Sequence, residues 1–453
     1  MAKQIKAIKC PQCGSPDKTE IKPDHFKCKK CGTEYFLDSD DVTINHNINY
    51  PVNNTNPNAK KILTALGVFF GIIFLLSILS SVLFRSSHKN NTHPNYGVYE
   101  ASSKPEKTKE KWNDAGTAAF ESADGKAIYL VVGTRETAAG RTGSSDNQKV
   151  CAGFYEIPNT KSLKMQQLPI HKFKLGEGVK FRQFENGDLY LITNKSNLYK
   201  IDKQFLTAEE VGEDFYNSYP DLQSGFASVE FVYENYGDGF KVMTNDGKER
   251  YFFPIIGKVY NKDRFYDAIN QNPPANARVR TAFKFSHNDS DYEEERIQLV
   301  KYTQKAEIGV PRDEPPFGWR KDYGGSGFFT DASPYRKVFL SSYYKQRCHI
   351  VNYTDMTPDR LYFGSEVICF DDKSVLIKFR ATAAENAPLS IQALDANNAQ
   401  ILWTYPLEDN NLYIYSRDSK KLPQGYFVKS SLADLFFGND GKLVAKLNKK
   451  ELD

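Results

Sequence analysis

Four cysteines near the start of the chain are spaced for metal chemistry, reading CPQCG at Cys10 to Gly14 and CKKCG at Cys28 to Gly32. A C-x-x-C pair on a tight turn aims two sulfurs at one point, and a second pair returned by a hairpin completes a tetrahedral shell for Zn²⁺. The 14 residues between the pairs are enough for that hairpin. The glycine after each second cysteine suits the left-handed backbone of such a turn. Four thiolates leave no position for water or substrate, so a site of this kind holds structure and does no catalysis. The competing reading is four cysteines in two disulfides or in none, and it leaves a segment too short to bury a core unaided. His25, three residues before Cys28, then reads as a surface residue.

From about Lys9 to Phe36 the chain resembles the zinc-ribbon family, whose knuckles share the CPxCG and CxxCG pattern. That resemblance makes Cys10, Cys13, Cys28 and Cys31 the ligands of one structural Zn²⁺. Lys18, Lys22, Lys27, Lys29 and Lys30 make the segment locally basic, as in ribbons that touch nucleic acid. Four thiolates with Zn²⁺ carry about −2, however, and Asp38, Asp40 and Asp41 follow closely, so the net field is weak. The lysines read as a solvated face. Nucleic acid is not expected as a partner, and a cytosolic protein is.

What must position this clip is the next feature along the chain. From Ile62 to Phe84 there are 23 uncharged residues, of which 16 are Ile, Leu, Val or Phe. At about 1.5 Å per residue they cover roughly 34 Å, enough for one tilted crossing of a hydrocarbon core about 30 Å thick. The run shows no polar face and follows 61 residues, which argues against a buried amphipathic helix and a cleaved leader. Gly67 and Gly71 are spaced as G-x-x-x-G. That spacing leaves two readings: a homodimer through this face, or the ordinary small-residue content of such helices. Lysines and arginines flank the span almost evenly, so charge does not orient it. Zinc thiolates persist in a reducing compartment, which places the N-terminus in the cytoplasm and the C-terminal domain outside it.

The resulting plan is a zinc ribbon over 1–40, a polar linker over 41–61, a transmembrane helix over 62–84, a juxtamembrane tether over 85–116, and one large domain over 117–453. Beyond residue 61 there are 50 cations and 49 acids, a balance that gives the large domain no electrostatic footprint for nucleic acid or an anionic surface. With 27 Tyr and 31 Phe the chain is rich in β-forming residues. Runs such as KAIYLVV, GDLYLIT, NLYKID, GFKVMT, DRLYFGSEVICF and NNLYIYS alternate or are uniformly apolar, and polar turns part them. DGK recurs at 124, 246 and 440. Turn-bounded strand pairs near 187, 238, 387 and 434 imply a unit of about 50 residues, the scale of a propeller blade. The expected fold is therefore all-β, a large β-propeller-like domain of roughly seven blades, with a β-sandwich pair as the alternative.

ALDANNAQILWTYPL, Ala393 to Leu407, resembles the repeat of quinoprotein-like (PQQ-like) β-propellers, with Asp395 and Trp403 at matching positions and Ala399 where a glycine usually sits. A quinoprotein dehydrogenase would also be expected to show an adjacent cysteine pair, which is missing from this sequence. H-E-x-x-H, G-x-S-x-G and a phosphate loop are missing too, GGSG at 324 lacking the lysine and the spacing. His171, His287 and His349 are scattered, and NDSDYEEE at 288–295 lacks the glycine of a calcium loop. The apolar contexts QRCHIVNY and EVICFDD suit Cys348 and Cys369 as buried strand thiols, and the sequence leaves open whether any two of Cys151, Cys348 and Cys369 pair. The functional expectation is a single-pass membrane-anchored binding or scaffold protein whose propeller takes a protein or glycan partner. The alternative is an anchored propeller enzyme such as a quinoprotein-like oxidoreductase, with residues drawn from several blades.

Overall fold

The computed structural model describes residues 15–22, 25–32, 34–36, 110–137, 149–170, 173, 178–212, 215–323, 335–384, 386–409 and 412–452. Cys10, Cys13, Gly67, Gly71 and the apolar run 62–84 lie outside these residues. No helix among the described residues is long and apolar enough to cross a membrane.

The N-terminal piece is a three-stranded antiparallel sheet of β1 (Lys18–Lys22), β2 (His25–Cys28) and β3 (Glu34–Phe36), paired in that order. Cys28 closes β2 and is buried, while Cys31 is half-buried. Between them the chain makes a tight turn: Gly32 N donates to Cys28 O at 2.9 Å, and Gly32 has φ +75°. A left-handed residue at this point is what the glycine of CKKCG supplies.

The described residues between 110 and 447 form six antiparallel blade sheets, each from one stretch of chain, and one separate two-stranded hairpin. The first has β4 (Glu110–Glu121), β5 (Ala127–Thr137), β6 (Lys149–Glu156) and β7 (Lys161–Gln167). The second has β8 (Val179–Gln183), β9 (Leu189–Thr193), β10 (Asn197–Asp202) and β11 (Thr207–Glu210). In the third are β12 (Phe226–Phe231), β13 (Phe240–Thr244), β14 (Glu249–Phe253) and β15 (Lys258–Tyr260). The fourth pairs β16 (Val279–Phe285), β17 (Leu299–Lys305) and β20 (Ile350–Asp355), with a hairpin of β18 (Arg320–Asp322) and β19 (Arg336–Val338) inserted before β20. The fifth has β21 (Phe363–Phe370), β22 (Ser374–Arg380), β23 (Leu389–Asp395) and β24 (Ile401–Pro406). The sixth has β25 (Lys420–Leu422), β26 (Gly425–Val428), β27 (Asp434–Gly438) and β28 (Leu443–Leu447). First strands neighbour one another: β4 lies against β8 and β25, and β21 against β16 and β25. The sheets are thus the blades of a six-bladed β-propeller.

Strands β5, β6, β9, β22, β23, β26 and β27 are buried on both faces because their blades are each packed between two others. Blade one meets blade two through Phe120, Leu130, Phe154, Leu191 and Tyr199. Blade two meets blade three through Phe184, Tyr190, Phe240 and Phe252. Clusters of the same kind join blades four and five, and five and six. Blades three and four are different. Helix α1 (Lys262–Asn270) covers the free face of blade three with Phe265 and Ile269, and the segment between β17 and β20 covers that of blade four with Phe317, Leu340 and Cys348.

Side chains close the ring, since no sheet of the described residues mixes strands from its two ends. Asp434 of blade six is buried and accepts from Tyr129 Oη at 2.9 Å, from Thr117 Oγ1, and from Ser430 N at 3.0 Å. Lys429 Nζ lies 3.4 Å from the same carboxylate and donates to Thr117 O at 3.0 Å. Around this clasp Trp112, Tyr129, Phe427 and Phe436 form an apolar seam.

Several expectations change. The blades number six and not about seven, because first strands begin at Glu110, Val179, Phe226, Val279, Phe363 and Lys420, intervals running from 47 to 84 residues. The three DGK turns sit at three different places in their blades, between β4 and β5, β13 and β14, and β27 and β28, so they do not mark one repeat. NNLYIYS is no blade strand: Ile414 makes a single bridge to Ser430, and its side chain is buried between blades five and six. Strand β4 begins at Glu110, inside the stretch read as tether, because Trp112 belongs to the closing seam.

Candidate functional site

Two adjoining cavities lie where the first strands converge, with volumes of about 650 and about 330 Å³. They share Phe181, Arg182, Glu234, Arg417 and Asp418, so they form one channel with a wide and a narrow part. Blades one, two, three, four and six all contribute to its lining, from Thr117 to Lys420. Strand β8 shows how: in VKFRQ, Val179 and Phe181 alternate with Lys180 and Arg182 at the period of a strand, which puts both cations on one face.

The wide part is aromatic and charged. Tyr251 stacks on Phe265 at 4.1 Å, and Tyr236 meets Phe265 and Tyr266 edge-on. Tyr233 is 74% exposed and Tyr266 40%, so both present ring surface beside the charges while packing edge-on to Tyr236. Arg182 donates from Nη1 to Val232 O at 2.7 Å and lies over the Phe231 ring at 4.8 Å. Arg417 reaches Glu234 at 3.6 Å.

The narrow part holds the denser charge. Glu185 lies within 3.1 Å of Arg278 and of Arg280, and within 2.9 Å of Arg312. Asp238 accepts from Glu185 N at 2.6 Å. Lys420 donates to Gln183 Oε1. Asp238 and Arg312 are buried, whereas Glu234, Arg417 and Asp418 are exposed to the channel, and neighbouring protein makes charge more expensive than in bulk water. Desolvation pushes the carboxyls of Glu234, Asp238 and Asp418 up. It also pushes the guanidiniums of Arg182 and Arg312 down, and the Lys420 ammonium down to about 7. Such a channel favours a ligand that brings its own charges and hydrogen-bonding groups.

The residues singled out from sequence fall elsewhere. Cys28 and Cys31 are on the N-terminal sheet, and Cys10 and Cys13 are outside the described residues. Asp395 holds the turn after β23, and Trp403 in β24 packs at the junction of blades five and six. Asp395 Oδ1 accepts from Asn397 N at 2.8 Å, Ala399 takes φ +56°, and Trp403 packs on Phe437 and donates to Asn439 O at 3.2 Å. The left-handed Ala399 explains why glycine suits that place in the likeness. Acids of NDSDYEEE are spent on the inserted hairpin, Asp291 with Lys321 and Glu295 with Lys337. Cys151 and Cys348 are buried and Cys369 half-buried, all as thiols; burial raises each, that of Cys348 to about 12. Cys348 follows the short helix α2 (Ser342–Arg347) and is not in a strand. His349 has a buried Nε2, His287 N donates to Phe317 O, and His171 lies outside the described residues.

Sequence reasoning missed the channel set, Arg182, Glu185, Arg280, Arg312, Arg417 and Lys420. The one signal was a charged alternation inside apolar strand runs, as in VKFRQ. Comparison with protein-family models gives no match, and comparison with curated proteins gives none.

Proposed function

We propose that this chain is a single-pass membrane-anchored binding protein, whose six-bladed propeller holds a protein segment or glycan in its channel outside the cytoplasm. A structural zinc ribbon faces the cytosol. The observation that carries the reading is the channel itself: about 650 Å³ of open space bordered by partly exposed tyrosine rings and by arginines and carboxylates from several blades. Rings of this kind stack on sugar faces or peptide planes, and fixed charges set orientation. The anchor rests on the 62–84 run. Cys28 and Cys31 fit a zinc knuckle, with a buried first sulfur, a half-buried second and a left-handed glycine after it. Two further thiolates would come from Cys10 and Cys13, and the metal would supply folding energy to the ribbon. The likeness to quinoprotein-like repeats rests on Asp395, Ala399 and Trp403 and concerns how blades dock.

The test is purification of the full-length chain from its own membranes, beside Tyr233→Ala and Tyr266→Ala. The parent should retain a partner that both variants lose, and should carry one zinc per chain that Cys28→Ser lacks. A partner retained equally by all forms would remove the channel from the reading.

A further inference from the structure

The narrow part of the channel holds buried arginine nitrogens that its carboxylates leave without a hydrogen bond. Arg278, Arg280 and Arg312 all point at the single carboxylate of Glu185, Oε1 lying between Arg280 Nε and Arg312 Nη2. Arg312 is more than nine-tenths buried. Its Nε and Nη1, and Nη1 of Arg280, have no acceptor among the described residues. Both side chains line the cavity of about 330 Å³. A buried guanidinium N–H without an acceptor is costly, so three such nitrogens on two side chains that line one cavity, with Glu185 Oε1 beside them also lacking a hydrogen bond, need an explanation.

Arg312 is also fixed from behind. Its N donates to Tyr236 O at 3.3 Å, and the adjacent Asp313 is gripped by Gln304 Nε2 through its carbonyl and by Arg347 Nε through its carboxylate, both at 2.7 Å. The fork is therefore held in place before any ligand arrives. Asp238 and Glu314 lend it charge but no hydrogen bond. Asp238 is committed to Glu185 N, Glu314 to Lys284 at 3.3 Å, and Glu234 and Asp418 face Arg182 and Arg417.

We propose that Arg280 and Arg312 form an oxyanion seat that receives a carboxylate or phosphate group of the channel's ligand. The planar guanidiniums match both groups, and Glu185 is the built-in counter-ion that holds the fork open. This rests on the reading of the channel as the binding site and names the chemistry of one end of its ligand.

Isothermal titration of the detergent-solubilised full-length chain with inorganic phosphate and with malonate, at ionic strength fixed with chloride, tests it. Saturable binding of either is expected, and which one binds tells a phosphate from a carboxylate ligand. Loss of a charged donor in Arg280→Gln should weaken it by roughly tenfold or more. Glu185→Gln should tighten it by a similar factor, because it removes the competing carboxylate while keeping the shape. A purely structural Glu185 would give the opposite sign, so this variant carries the test even if Arg280→Gln fails to fold. Heats equal to those of chloride for both probes, or weaker binding in Glu185→Gln, would overturn the seat. If neither probe binds while the full-length chain still loses its partner on Tyr233→Ala, only the seat is lost and the binding reading stands.

Discussion

Replacing Asp434 with alanine should open the ring at its seam. The carboxylate is 4% exposed and takes hydrogen bonds from Tyr129 Oη, Thr117 Oγ1 and Ser430 N, with Lys429 Nζ at 3.4 Å. Burial and the neighbouring carboxylate push the Tyr129 phenol well up, so it stays a donor across the working range. Hydrogen bonds to a charged acceptor are worth about 1.5 to 3 kcal/mol each, and stranding one partner of a buried ion pair costs about 3 to 5 kcal/mol. These overlap, because the same donors are stranded. The expected loss for Asp434→Ala is therefore about 3 to 5 kcal/mol, which in a domain of this size lowers Tm by roughly 5 to 10 °C. Asp434→Asn should cost about half as much, since its amide can accept from Thr117 and Tyr129 only by presenting its NH₂ to Ser430 N. Thermal unfolding of the full-length chain followed by near-ultraviolet circular dichroism reads both, with Glu408→Ala as control. Glu408 is 81% exposed in its pair with Lys446 and should shift Tm by no more than about 1 °C. If Asp434→Ala melts with that control, the clasp is not what closes the ring.

Two further outcomes follow from the same geometry. Lys420 has its ammonium pushed down to about 7 by burial and by Lys203, whereas an unfolded lysine keeps its proton to about 10.5. Between those values unfolding takes up a proton, so the folded state gains stability as pH rises and bears the full cost of the buried charge below 7. Lys420→Met should therefore stabilise the chain at pH 6 by up to about 4 kcal/mol, and the gain should vanish near pH 10 in paired melts. A gain independent of pH would be packing alone. Gly441 has φ +83°, and a Cβ there would lie 2.5 Å from Trp403 Cγ and Cδ2. Gly441→Ala should cost roughly 2 to 4 kcal/mol and red-shift Trp403 fluorescence as the ring leaves Phe437. An unchanged spectrum would mean the ring is not wedged there.

The sequence carried the blades better than the channel. Runs such as NLYKID and GFKVMT have a strand's period because one face is buried while the other reaches the surface, at Lys200 and at Met243, and they recur as β10 and β13. Asp395, Ala399 and Trp403 were readable because they act within one hairpin and the next turn. Counting failed where the chain inserts the segment between β17 and β20, with its hairpin and α2, stretching the interval from β16 to β21 to 84 residues. NNLYIYS has the alternation of a strand, yet one bridge satisfies it because only Ile414 needs burial. The channel could not be seen in any linear stretch. Arg182, Arg280, Arg312 and Arg417 come from separate segments, and each is an ordinary charged residue until the ring brings them to one axis.

The claim that the channel is where the chain meets its partner is tested most directly by photo-crosslinking in native membranes. A photoreactive residue at Tyr233, on the channel wall, is compared with one at Phe205, exposed between β10 and β11 at the outer side of blade two. A discrete adduct at 233 and none at 205 is the expected result. The same adducts at both positions, or none at 233, would contradict it.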